Sequence, residues 1–91
     1  MIIELGGNIK LINFDNLEPA KLIVVKKIVG SFTKKISEAK TDFKEISIEL
    51  KEENNKFTIE GKLTTSEEKT SSSTNENLFF ALNAVLEELS K

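Results

Sequence analysis

The chain has 91 residues and a formal net charge of −2, with 13 lysines set against 15 carboxylates. It contains no His, Cys, Arg, Tyr, Trp or Gln, so the usual proton shuttle, thiol nucleophile, zinc ligands and guanidinium clamp are all missing. We therefore expect a binding or scaffolding protein, not an enzyme, with no metal, no other cofactor and no evident small-molecule substrate. The length predicts a single domain over residues 1–91. Without cysteine, a basic leader or a long apolar run, we expect a cytoplasmic protein that does not contact a membrane.

Residues 2–12 have the composition of β structure on both sides of Gly6-Gly7. If the two glycines form a two-residue hairpin loop, they join a strand at 2–5 to a strand at 8–12. If they form a bulge or a strand end, a single strand is followed by a crossing loop. The sequence is compatible with both interpretations.

A helical pattern extends from about residue 17 to 39. Asp15-Asn16 is the predicted N-cap, and Pro19 fits the first turn, where its missing N–H has no cost. The predicted core face at 100° per residue comprises Val24, Val25, Ile28, Val29, Phe32, Ile36 and Ala39. Gly30 interrupts the other side of this helix and destabilises it by about 1 kcal/mol relative to alanine.

Apolar and polar residues alternate in the segments 46–50 and 57–63, which predicts an antiparallel hairpin with its turn at 52–55. One face of this hairpin would pack on a core and the other would be solvated. The Ser, Thr, Glu and Lys tract at 64–74 predicts either a polar edge strand, the preferred interpretation, or a loop.

The last predicted element is a second helix, opened by a capping box formed by Ser73 and Glu76. Its predicted core stripe is Leu78, Leu82, Val85, Leu86 and Leu89. The fold class is therefore α+β. We expect a two-layer sandwich in which a three- or four-stranded, mostly antiparallel sheet carries two helices on one face, in the order β-α-β-β-(β)-α.

Lysines dominate the polar side of the first helix. The candidate RNA-binding residues are Lys21, Lys26, Lys27, Lys34 and Lys35. Lys27 and Lys34 fall within about 20° of each other, opposite the core stripe. Such a face either neutralises the phosphates of a structured RNA or is simply solvated. Ile23 lies in the same sector, which favours a contacted surface.

The second helix places Phe80 on its outward side, near Ala84. Phe80, Ala84 and Ile23 are the candidate protein-interaction residues, because an exposed aromatic beside small residues suits a partner or a second copy. A single exposed apolar residue is also common on protein surfaces. The solvated side of the predicted sheet carries no aromatic pair on which bases could stack, and the adjacent carboxylates of the chain diverge, so neither a base-stacking platform nor an acid–base site is predicted.

Four segments carry a resemblance to a known family: LGGNI at 5–9, VKKI at 25–28, ISIEL at 46–50 and NLFFALNAV at 77–85. With the order β-α-β-β-(β)-α, they resemble the ribosome hibernation-promoting factor family. The resemblance implies binding to the decoding region of the small ribosomal subunit, arrest of translation, and contacts to ribosomal RNA by Lys26, Lys27 and Lys34. The chain departs from the family at 86–91, which is acidic where the family is basic.

A second resemblance covers Phe57–Leu89, where a β-hairpin is followed by a helix. This segment is similar to the small dimeric subunit of the tRNA-modifying KEOPS complex. The similarity implies a homodimer or a complex subunit that acts through protein contacts. It is the alternative to RNA binding.

Overall fold

The computed structural model describes residues 2–5, 8–15 and 17–91 of the chain. The elements in chain order are β1 (Ile2–Leu5), β2 (Ile9–Ile12), α1 (Pro19–Ala39), β3 (Glu45–Glu53), β4 (Lys56–Thr64), β5 (Glu68–Asn75) and α2 (Leu78–Leu89). The described strands form one five-stranded sheet in the order β1-β2-β3-β4-β5. The predicted α+β class with two helices is confirmed, but the sheet is larger than the three or four strands expected.

The additional strand comes from the N-terminal segment. β1 pairs antiparallel with β2, and Leu5 lies opposite Ile9. This pairing agrees with the hairpin interpretation, although it leaves the three residues 6–8 between the paired positions. Gly6 and Gly7 themselves lie outside the described residues.

The sheet is mixed because β2 and β3 run parallel, with Ile9 opposite Ile46, while the other neighbouring strands are antiparallel. Parallel neighbours need a crossover connection, and α1 provides it. β2, β3 and β5 therefore run in the same direction. Because α1 follows β2 and α2 follows β5, and each helix runs back along the sheet, the two helices also share one direction. The tract at 64–74 contributes to β5 at the edge of the sheet, as the preferred interpretation predicted.

Both helices begin at residues other than those predicted as their caps. The N-cap of α1 is Glu18, whose side chain makes no capping hydrogen bond. Asp15 is therefore not the cap, and Asn16 lies outside the described residues. Pro19 occupies the first helical position, where its fixed φ already matches the helix. The predicted capping box of α2 is also wrong, because Ser73 belongs to β5 and lies opposite Ile59.

One core cluster joins the helices to one face of the sheet. The predicted stripe of α2 is fully confirmed, with Ala81 buried beside it. In α1 the buried residues are Val25, Val29, Thr33 and Ile36, so the packed face is rotated from the predicted one. Val24 is 42% exposed and Ala39 is exposed as well, contrary to the prediction.

Helix α2 packs tightly on β4 and β5. A Cβ atom at Gly61 would lie 2.5 Å from Val85 Cγ1 and 2.8 Å from Leu89 Cδ1. Only glycine lets these side chains descend so far onto the strand.

No helix in the described segments combines the length and the apolar character needed to span a bilayer.

Candidate nucleic-acid interface

We use the term lysine face for Lys21, Lys26, Lys27, Lys34 and Lys35 of α1. All five lie on the helix that crosses from β2 to β3. Lys26 is half-buried and the other four are exposed. The predicted residues are therefore brought together on one element and lie at the surface.

Charge in this protein is strongly segregated. Helix α1 carries five of the 13 lysines and a single carboxylate, Glu38, so its formal charge is +4 in a chain whose total is −2. The rest of the chain is correspondingly acidic. A short-range field of positive sign therefore surrounds α1, since charges farther away than about 8–10 Å are screened at physiological salt.

The lysines of this face make no intramolecular ion pairs within the part of the chain that the structure describes. The ion pairs found there are Lys10–Glu45, Lys51–Glu60, Lys62–Glu68 and Lys91–Glu88, at 2.9–3.4 Å. All of them lie on the sheet or at the C-terminus. The ammonium groups of α1 are thus not engaged by any carboxylate of the described chain.

Lys27 and Lys34 form the centre of the lysine face. They lie two turns apart, about 10 Å along the helix axis, on the side opposite Val25 and Val29. Lys35 leans to one flank, where its ammonium lies 5.6 Å from the centroid of the Phe32 ring. This cation–π contact holds Lys35 near the protein surface, while Lys27 and Lys34 project outwards.

Three apolar residues accompany this charge. Ile23 is 54% exposed beside Lys27, and Phe80 on α2 is 66% exposed. Ala84, one turn after Phe80, is also exposed. Because the helices run in the same direction, the first turns of both lie at the same end of the helical layer. Ile23 and Phe80 are therefore both exposed near the same end of the helical layer.

The opposite side of the sheet offers a different surface. A shallow cavity of about 690 Å³ lies over the middle strands, and its lining includes Glu49, Glu60 and Lys62. These groups already have partners: Asn13 donates a hydrogen bond to Glu49 at 3.4 Å, and Lys51 pairs with Glu60 at 3.3 Å. The strand register places Glu45, Ser47, Glu49, Thr58, Glu60 and Lys62 together on this side of the sheet.

Two further observations bear on what this surface can bind. The residues that the open face presents from β1 to β5 in the described structure include no aromatic side chain. Within residues 2–5, 8–15 and 17–91, no three carboxylates are grouped closely enough to hold a metal ion. Lys10 and its ion pair with Glu45 were not predicted, because the parallel pairing of β2 with β3 has no local sequence signal.

Among the described residues, then, the lysine face combines exposure, unpaired charge and position on one rigid element. Its geometry suits the binding of a polyanion by point charges on flexible stems.

The chain matches no known protein family, and a search of curated proteins finds no match either.

Proposed function

We propose that this protein is a non-enzymatic, cytoplasmic RNA-binding factor that contacts the small ribosomal subunit through the lysine face. The observation that carries the proposal is the +4 charge of α1, free of ion pairs in the described chain, in a protein whose net charge is −2. An ordinary solvated helix gains from alternating charges of both signs. Helix α1 instead has Glu38 as its only acidic side chain, in its last turn.

The chemistry of such a contact is electrostatic. Each phosphate neutralised by a lysine releases condensed counterions, which favours association and makes it dependent on salt. Lysine also lacks the planar fork with which arginine forms two hydrogen bonds to one base or phosphate. The lysine face would therefore recognise the shape and charge of a folded RNA, not its sequence.

The ribosomal assignment is supported by the family resemblance. The element order is β-β-α-β-β-β-α, which contains the order β-α-β-β-(β)-α of the resemblance and has one additional strand, β1, before it. Helix α2 has Glu87 and Glu88 exposed on its outer side. These carboxylates would repel phosphates, so the proposed contact is made by α1 alone. By the resemblance, this contact would arrest translation.

The proposal is tested by measuring the affinity for a structured RNA by fluorescence anisotropy across a salt series. Three contacts, from Lys26, Lys27 and Lys34, predict that log K falls with log salt with a slope of about −2.7 for a duplex. In the double variant Lys27→Glu/Lys34→Glu the magnitude of this slope should fall to about 1 or below. The matched control Lys44→Glu/Lys56→Glu makes the same change in net charge at exposed positions outside α1. Equal losses in both variants, or binding independent of salt, would contradict the proposal.

A second candidate function is that of a protein-interaction module or complex subunit that uses Phe80, Ala84 and Ile23. It is favoured by the exposure of two large apolar side chains, 66% for Phe80 and 54% for Ile23, near the first turns of the two helices. Phe80→Glu should abolish binding of a protein partner through this surface and leave the salt dependence of RNA binding unchanged. A bound protein that tolerates Phe80→Glu would exclude this surface as the contact.

A further inference from the structure

Strand β5 ends the sheet with an open edge. It has eight residues, and β4 is its only neighbour among the strands that the structure describes. The backbone N–H and C=O groups on its outer side therefore have no ladder partner there. The other edge, β1, is only four residues long.

Most of this edge lacks the features with which proteins usually prevent pairing between sheets, and its charges are confined to Glu68 and Lys69 at its start. Edge strands are commonly protected by proline, by a bulge, by short length or by charged side chains in the strand. The pairing of β5 with β4 is continuous from Phe57↔Asn75 to Thr64↔Glu68, so there is no bulge. Residues 70–75 read TSSSTN and contain neither charge nor proline.

We propose that the edge of β5 pairs antiparallel with β5 of a second copy of this chain and forms a two-fold dimer with a continuous ten-stranded sheet. Antiparallel pairing of a strand with itself is closed by a two-fold axis, so it produces a dimer and no longer assembly. Small hydroxyl side chains offer no pockets with which to select a foreign strand. A second copy presents the same uncharged segment at 70–75, so its pairing needs no such selection.

The register of this pairing is self-complementary. With Ser72 on the two-fold axis, Thr70 of one copy lies opposite Thr74 of the other, on the open face of the sheet. The structure already contains a pair of this type across β4 and β5, where the hydroxyls of Thr58 and Thr74 are 2.9 Å apart. In the same register Glu68 of one copy lies opposite Glu76 of the other, so each end of the pairing carries one like-charge contact, while Lys69 lies opposite Asn75.

Helix α2 provides a second observation in favour of this dimer. Ala81 is buried on one flank of α2, and Phe79 projects from the other side at 100° per residue. A right-handed crossover from β2 to β3 places α1 on the Ala81 flank of α2, so the flank of Phe79 is the one nearer the β5 edge. Phe79 is only partly buried in the isolated chain. In the dimer α2 of the second copy lies beside it and removes its remaining surface from water.

The test compares the oligomeric state of the protein with that of Ser72→Lys, by sedimentation equilibrium over a concentration series. In its own chain residue 72 lies opposite Glu60, so the new lysine is compatible with the folded monomer. In the dimer the two lysines meet at the two-fold axis and repel each other. We expect a dimer that Ser72→Lys weakens by roughly tenfold or more. Circular dichroism should remain unchanged.

The control Thr64→Lys adds the same charge on β4, opposite Glu45 and Glu68 and away from the edge centre, and should leave the dimer intact. Phe80→Glu should also leave it intact, since that side chain lies on the outer surface of α2. A protein that stays monomeric at millimolar concentration overturns the proposal. So does a dimer that persists in Ser72→Lys and is lost in Phe80→Glu, since that result assigns the interface to the helical layer. RNA binding by α1 is independent of either result.

Discussion

The two helices of this protein lie on the same sheet but differ in how they are held and in what they expose. Helix α2 has 12 residues, six of them buried, and Asn77 accepts hydrogen bonds from Phe79 N and Phe80 N at 2.9 and 3.3 Å as its N-cap. Helix α1 has 21 residues with only four buried, and its N-cap makes no side-chain hydrogen bond. We infer from this difference in burial and capping that α2 mainly stabilises the fold, while α1 mainly presents a surface.

The largest expected effect is on the core side of α2. Leu82 is fully buried, so Leu82→Ala should lower the free energy of unfolding by about 2–5 kcal/mol, through lost transfer energy and the cavity left behind. Urea denaturation measures this difference. Phe80→Ala, on the outer side of the same helix, should change it by less than about 0.5 kcal/mol. Similar losses in both variants would mean that Phe80 is packed and that α2 has no outer face.

The two glycines near the helices should respond in opposite directions to alanine. At Gly61 the new methyl would lie within 2.8 Å of Val85 and Leu89, so Gly61→Ala should destabilise the fold by about 1–3 kcal/mol. At Gly30, in α1, no atom lies within 4 Å of the new Cβ. Gly30→Ala should therefore stabilise the protein by about 0.5–1 kcal/mol through helix propensity. Thermal denaturation of both variants tests the contrast, and a destabilised Gly30→Ala would show that something packs on α1 there.

The helix caps give a smaller contrast. Asn77→Ala removes a capping oxygen from two backbone N–H groups and should cost about 0.5–2 kcal/mol. Glu18→Ala removes no capping hydrogen bond from α1, so its effect should be close to zero. Chemical denaturation of the two variants under the same conditions measures the difference. Equal effects would contradict the assignment of Asn77, and not Glu18, as a side-chain cap.

The smallest effect concerns the connection between α1 and β3. Ser66 donates from its hydroxyl and its backbone N–H to Asp42 Oδ2, at 2.6 and 3.1 Å, and these hydrogen bonds hold the pKa of Asp42 below its usual value. A lowered folded pKa stabilises the protein above the unfolded pKa near 4, and this stabilisation is lost as the pH falls through the folded pKa. Asp42→Asn should therefore be less stable than wild type near neutral pH, with a difference that shrinks as the pH falls below the unfolded pKa and through the lowered folded pKa. A difference independent of pH would contradict this role.

The parts of the fold that sequence predicted are those with strong local periodicity. The core stripe of α2 and the hairpin of β3 and β4 follow directly from periods of 3.6 and two residues. The parallel pairing of β2 with β3 does not follow from such a period, because it depends on a crossover and not on neighbouring residues. Thr33 was missed for a related reason, since a β-branched hydroxyl residue carries no apolar signal although tertiary packing buries it.

The sequence predicted where the lysine face lies, but not which lysines of the chain form ion pairs and which do not. The spacing of Lys27 and Lys34 placed them outside the core, and both are exposed. Which lysines have carboxylate partners depends on strand register, as for Lys62 and Glu68, whose pairing joins residues across β4 and β5. Sequence alone therefore could not distinguish the lysines of the sheet that form ion pairs from the unpaired lysines of α1.

Co-sedimentation with ribosomes from the same source, across a salt series, measures whether the lysine face of α1 binds RNA of the small ribosomal subunit, as proposed. We expect the protein to pellet with the small subunit at low salt and to be released as salt rises. Lys27→Glu/Lys34→Glu should stay in the supernatant, while Lys44→Glu/Lys56→Glu should still pellet. A protein that stays in the supernatant at every salt concentration, or that pellets equally well in both variants, would contradict the claim.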